Sequence, residues 1–239
     1  MGEDVAGETI FIAGAGGGMG RAIAIAAAQA GADLILLGRS ADGLAKTAAT
    51  AGRAKLSIVA DASDAAALAT ALKPHATLLE KVDVLVNAIG TNIVERSFDR
   101  LTPQSWAAML DANLTAAFNL SQLVLPSMRV NRKGLIVHIS STAARKPDLS
   151  GAAYQASKAG VMALTHAIME EEWANGIRAT SILPGMTNTP LLDRRPVPVS
   201  PEARAAALQP EDIAAACMFV MQLPARAHVS EIHLQPSRR

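Results

Sequence analysis

Short apolar runs alternate along this chain with longer segments whose apolar positions recur every three or four residues. The runs Thr9–Ala13, Leu34–Gly38, Leu56–Ala60, Val82–Val86, Leu135–Ser140, Arg178–Leu183 and Glu231–Leu234 are largely rich in Val, Ile and Leu. That pattern predicts the strands of a mostly parallel sheet. Between them, Met19–Ala30, Ala41–Ala51, Ala65–Leu72, Pro103–Met128, Tyr154–Ala174 and Glu211–Gln222 predict helices. Thr102 caps the fourth of these ahead of Pro103, and Asn175-Gly176 supplies a natural stop for the fifth. Strands separated by helical spacers predict repeated βαβ units. The expected fold class is α/β: a doubly wound, mostly parallel, seven-stranded sheet with helices on both faces.

No internal repeat or long linker divides the chain, so residues 1–239 are expected to form a single domain. Residues 186–210 break the compact rhythm with Pro190, Pro196, Pro198, Pro201 and Pro210. They predict a long surface loop with room for a short helix at Pro201–Leu208, and residues 142–153 and 186–208 are expected to line the substrate pocket.

Composition narrows the function classes. Half of the residues are apolar but 49 are alanine, and 22 Lys+Arg against 21 Asp+Glu leave a net charge of +1. A balanced charge carries no footprint for nucleic acid or an anionic membrane, and few aromatics argue against a base-stacking surface. One cysteine, Cys217, builds neither a disulfide framework nor a Cys-based zinc site. The five histidines show no metal-ligand spacing, so no metal is expected. The start of the chain is acidic where a signal peptide is basic, and Arg21 and Asp33 interrupt the richest apolar stretch. The expectation is a cytoplasmic protein.

The first strand runs into AGAGGGMG, residues 13–20, and then into a helix. Such a turn brings backbone close to a pyrophosphate and offers it the free N–H groups of a helix start, as in a Rossmann-like dinucleotide site. The spacing is Gly14-x-x-x-Gly18-x-Gly20 with Met19 between the last two glycines. No Gly-Lys-Ser/Thr follows, so it is no P-loop; an ordinary tight βα turn is the plainer explanation. After the second strand, where an acidic residue would meet an adenosine ribose, the chain reads Gly38-Arg39-Ser40. Arg39 can fork onto a 2′-phosphate, which predicts NADP(H) over NAD(H), with NAD(H) still possible.

Tyr154 and Lys158 stand four apart on a predicted helix, so phenol and ammonium share a face. A nearby ammonium favours the phenolate, and a Tyr154 pKa below that of free tyrosine is expected, lowest beside an oxidised nicotinamide. Thirteen residues upstream, Ser141 sits at the carboxyl end of a strand, where open α/β sheets bind ligands.

Taken together, Gly14-xxx-Gly18-x-Gly20, Asn113, Ser141, Tyr154-xxx-Lys158 and Pro184-Gly185 resemble the short-chain dehydrogenase/reductase family in order along essentially the whole chain. The resemblance implies that Tyr154 is the general acid for carbonyl reduction and the base for alcohol oxidation. It implies that Lys158 holds the nicotinamide ribose, that Ser141 polarises the substrate oxygen and that Asn113 supports a water linked to Lys158. Asp61 would contact adenine, Asn87 and Gly90 would flank the adenosine side, and Thr189 would meet the nicotinamide side. It also implies a small carbonyl or alcohol substrate and a homo-oligomer, tetramer or dimer. The chain departs from the family at Ala13, Ala88 and Ile89, and its HLQPSRR ending lacks the family's glycine pair. Two rival readings are a non-catalytic NAD(P)-binding sensor or scaffold, which has no chemical need for Ser141, Tyr154, Lys158 and Asn113, and an S-adenosylmethionine enzyme, which leaves the Tyr-Lys pair unexplained. Cys217 and Met162, Met169, Met218 and Met221 read as packing. The Arg194-Arg195 pair could favour an anionic substrate but reads more simply as solvated, and Glu170-Glu171-Glu172 as a wet helix face.

Overall fold

The computed structural model describes residues 4–237, so Arg238 and Arg239 of the tail lie outside the described residues. Strand β1 is Thr9–Ala13, followed by β2 (Asp33–Gly38), β3 (Ala54–Val59), β4 (Val82–Asn87), β5 (Gly134–Ile139), β6 (Ile177–Pro184) and β7 (Glu231–Leu234). Their order is β3-β2-β1-β4-β5-β6-β7 and every pairing is parallel, so the sheet expected to be mostly parallel is wholly so. The winding reverses between β1 and β4, which opens a crevice above the carboxyl ends of those strands.

Helices cover both faces: α1 (Gly18–Gln29), α2 (Ala41–Ala51), α3 (Ala65–Leu72), α4 (Ala76–Leu79), α5 (Pro103–Leu110), α6 (Ala116–Asn131), α7 (Ala152–Glu172), α8 (Pro201–Ala206) and α9 (Pro210–Met221). Alternate strand residues divide between two cores, as a period of two requires. Ile10 and Ile12 of β1 pack with Ala24 and Ala27 of α1 and with Ile213, Cys217 and Val220 of α9. Phe11 and Ala13 face the opposite way, toward Leu120 and Val124 of α6 and Ile168 of α7. Each fully buried aliphatic side chain contributes roughly 1.5–3 kcal/mol by leaving water. The alanine-rich face of α1 lets α9 lie close against it.

The expected single helix over Pro103–Met128 is three pieces. Thr102 and Ser105 form a capping box at the start of α5, a wide π turn follows at Asp111–Thr115, and α6 continues to Asn131. The helical link Lys73–Leu79, a 3-10 turn plus α4, was not anticipated, because its short length shows no amphipathic period. Glu170 and Glu171 are exposed as expected, but Glu172 is buried and paired with Arg129. The proline-rich loop holds a 3-10 turn at Pro190–Arg194 as well as α8, and its ends are pinned by Leu208 N–H to Met186 O (3.0 Å) and Asn188 N–H to Leu208 O (2.7 Å). Among the described residues no helix is long and apolar enough to cross a membrane.

Candidate active site

The glycine turn hangs from β2: the N–H groups of Gly14 and Ala15 donate to Leu37 O at 2.9 and 3.0 Å. Gly14 has φ +81°, and a Cβ there would sit 2.9 Å from the Ala88 carbonyl. A Cβ on Gly20 would lie 2.2 Å from Gly14 O, so only glycine closes the turn. Thr47 Oγ1 donates to Ala15 O (2.8 Å) and Arg21 Nη2 to Gly16 O (2.8 Å), which fixes the loop from behind. Above the turn lies a cleft of about 410 Å³, lined by Gly14, Gly18, Met19, Arg39, Asp61, Gly90, Lys158 and Thr189 among others. Bare backbone at the start of α1, cationic groups at both ends and a side-chain-free floor suit a dinucleotide diphosphate.

At one end of the cleft Arg39 and Asp61 are exposed and face each other at 3.9 Å. The hydroxyl and N–H of Ser63 donate to Asp61 (2.7 and 2.9 Å), and together they hold its carboxyl below the usual range. Asn87 does not line the cleft with its side chain, as expected of a cofactor contact, but is buried beneath it. Its Oδ1 accepts from Ile89 N–H (3.0 Å), and its Nδ2 donates to His138 Nδ1 (3.3 Å). That leaves the other ring nitrogen of His138 as the donor to Ser121 Oγ at 3.2 Å. Burial, with help from the Lys158 charge, pushes the His138 pKa down to about 3, so the ring stays neutral.

Lys158 is buried and donates from Nζ to Ile139 O (2.9 Å) and Ile89 O (3.2 Å); burial lowers its pKa to about 8. Gly90 leaves it room, since a Cβ there would lie 3.1 Å from Nζ. Asn113 projects from the π turn, a geometry often found at functional sites. Its Oδ1 accepts from Thr91 N–H (2.8 Å), while Nδ2 donates to Thr91 O (3.1 Å) and Ser157 Oγ (2.9 Å). Asn113 therefore clamps the loop after β4, and among the described residues it makes no direct bond to Lys158.

Tyr154, in the first turn of α7, hydrogen-bonds the Ser141 hydroxyl. Ser141 Oγ already accepts from Ala143 N–H (3.1 Å), which frees its own proton for the phenol oxygen. Burial raises the Tyr154 pKa above 10, a shift that Asp148 reinforces and that Ser141, Arg96 and Arg195 oppose without cancelling. The expected downward shift is therefore reversed: desolvation dominates, and the cations acting on the phenol are the two arginines.

Tyr154 also borders a smaller cavity of about 100 Å³, walled by Ser141, Arg96, Asp148, Arg195, Pro184 and Gly185 among others. Gly185 N–H donates to Leu234 O (2.7 Å), which docks the end of β6 beside β7. Thr189 lines both spaces and lies 3.5 Å from where a Gly18 Cβ would be. Asp148 falls in the stretch expected to line the substrate pocket, whereas Arg96 and Asn92 were not anticipated. Arg96 sits in the polar stretch ERSFDR, where a buried charge has no marker.

The sequence pattern of the family described as short chain dehydrogenase matches residues 8–197. The chain belongs to that family. It is an oxidoreductase on the same all-parallel sheet. Serine 3-dehydrogenase of Agrobacterium fabrum is 31% identical over 181 residues, 76% of this chain and 72% of that one. The structure of 3-ketoacyl-(acyl-carrier-protein) reductase from Brucella melitensis complexed with NADH superposes with a TM-score of 0.88 at 25% identity, covering 98% and 99% of the two chains. The closed form of serine dehydrogenase complexed with NADP+ gives a TM-score of 0.88 at 26% identity, covering 97% and 96%.

Proposed function

We propose that this oxidoreductase interconverts a carbonyl and an alcohol with a nicotinamide dinucleotide, NADP(H) in preference to NAD(H), and that Tyr154 moves the proton. The observation that carries the reading is the position of Tyr154: its phenol meets the Ser141 hydroxyl where the 410 Å³ cleft adjoins the 100 Å³ cavity. A cofactor in the larger space and a substrate in the smaller would both reach it. The bound nicotinamide supplies or accepts the hydride. Ser141 donates to the substrate oxygen, and Tyr154 gives that oxygen its proton on reduction or takes it on oxidation. Lys158 holds the cofactor's ribose from Nζ, its remaining proton facing the cleft. Asn113 keeps Thr91, and with it the cleft wall, in register. Met19, Asp61, Gly90 and Thr189 line the cofactor, Asn87 shapes the loop that carries Ile89, and Pro184 and Gly185 close the substrate end.

The NADP(H) preference rests on Arg39, an exposed guanidinium at the ribose end of the cleft, with Gly38 rather than an acidic residue ending β2. Asp61 partly occupies that charge, and the neighbours with NADH and with NADP+ show that the fold admits either cofactor. We further infer one domain with 186–208 as the substrate loop, acting in the cytoplasm as a homo-oligomer. Phe118 on α6 and Trp106 on α5 remain partly exposed, a surface a second copy would cover. A purely binding role leaves the Tyr154–Ser141 contact without a purpose. The test is Tyr154→Phe against a carbonyl panel with NADPH: turnover falls by about 10²-fold or more while NADPH binding survives. Arg39→Ala weakens NADPH binding and leaves NADH binding unchanged; equal wild-type affinities unmoved by the change refute the preference.

A further inference from the structure

Building on the oxidoreductase reading, we propose that the substrate is a short acid, its carboxylate gripped by Arg96 and Arg195 while its carbonyl faces Tyr154 and Ser141. Arg96 is 8% exposed, yet among the described residues it makes no ion pair. Its Nε donates to Ile93 O (2.9 Å) and its Nη2 to Arg194 O, which fixes the guanidinium and leaves Nη1 without a protein acceptor among the described residues. Gly151, at φ +90°, holds the base of this side chain against α7: a Cβ there would lie 2.7 Å from Arg96 Cβ. Arg195 is a second guanidinium on the same cavity wall, also without an ion pair among the described residues. Arg195 is exposed and met by water, but the buried Arg96 charge facing a like charge is unfavourable unless something compensates it.

Arg194 does not line this cavity, and its Nη1 donates instead to Thr91 Oγ1 (2.7 Å) and Asn92 O (3.3 Å). Asp148 is the one carboxylate lining the cavity, and it accepts from Ser150 N–H at 2.8 Å. It offsets one guanidinium and leaves the wall with an excess positive charge. A planar guanidinium matches the two oxygens of a carboxylate. The cavity, about 100 Å³, is well below the 300 Å³ or so at which drug-sized ligands begin, so the acid is short.

The test compares pyruvate, acetoacetate and levulinate, which are 2-, 3- and 4-oxo acids, with their methyl esters, using NADPH and reading kcat/KM. Wild type favours at least one acid over its ester by about tenfold or more, and Arg195→Gln cuts that ratio by about ten- to hundredfold, chiefly through KM. Arg195→Lys restores part of it. In parallel, each acid is titrated calorimetrically into the protein with NADP+, which requires no turnover. Binding that Arg195→Gln weakens supports the proposal even where no compound is reduced, and in that case it is the assigned reaction that falls. Esters turned over as well as acids, a ratio unmoved by Arg195→Gln, or no calorimetric binding of any acid overturns the proposal.

Discussion

Lys158 carries a charge that its surroundings oppose, and the response of the protein to alkali measures that opposition. Burial lowers the Lys158 pKa from 10.5 to about 8, while the unfolded chain keeps the ordinary value. Between those values the unfolded state binds more protons than the folded one, so stability rises with pH across that window. Below about pH 8 both states are protonated and the cost of burying the ammonium is present in full. The interval of 2.5 units, 10.5 minus 8, corresponds to about 3 kcal/mol, gained at about 1.4 kcal/mol per pH unit. Other groups titrate in the same range, so the measurement is a difference between wild type and Lys158→Met, by urea unfolding from pH 7 to 10.5 without cofactor. Methionine removes the charge and also strips donors from Ile89 O and Ile139 O, but that second loss does not vary with pH. Lys158→Met should therefore gain on wild type at neutral pH and lose ground steadily above pH 8. A difference that stays flat, or that moves the other way, refutes the burial argument.

Two further outcomes follow from the same geometry. Tyr154 is the chain's single tyrosine, so ultraviolet titration of tyrosinate reads it without assignment. Its midpoint should lie above 10 without cofactor and fall when NADP+ is added; a midpoint below 10 in the protein alone contradicts the dominance of burial. Gly20→Ala places a methyl 2.2 Å from Gly14 O and should cost about 1–3 kcal/mol with weakened cofactor binding, whereas Gly17→Ala meets nothing within 4 Å and should cost little. Thermal unfolding and NADPH titration of both variants check this, and equal behaviour of the two would refute the close-approach argument.

The alternation of strands and helices was legible because parallel strands buried on both faces leave dense aliphatic runs, and β1 lies where its run predicts. The Tyr154–Lys158 spacing and the glycine turn were legible for a similar reason: each is a local pattern. What the chain did not disclose is long-range. The π turn that presents Asn113 has no compositional marker, since DANLT reads as ordinary helix. The sign of the Tyr154 shift depends on how deeply α7 is covered, which spacing does not reveal. Arg96 looked like any charge in a polar loop until Gly151 and the carbonyl of Arg194 were found against it. Glu172 is different, for its burial had a readable signal. It continues the Val161, Thr165, Ile168 face at three- and four-residue steps, the side of α7 turned toward the sheet.

The strap between the proline-rich loop and the loop after β4 is made without opposed charges. Arg194 donates to a hydroxyl and a carbonyl, and Arg96 donates to the carbonyl of Arg194. Dissolved ions weaken attraction between opposite charges far more than hydrogen bonds to neutral acceptors. Elsewhere in the same loop, Arg204 of α8 pairs with Asp193, whose side chain is largely exposed. Rising ionic strength should therefore loosen the hold of Asp193 on α8 before it loosens the strap, so that α8 gains freedom while the wall beside Tyr154 keeps its shape.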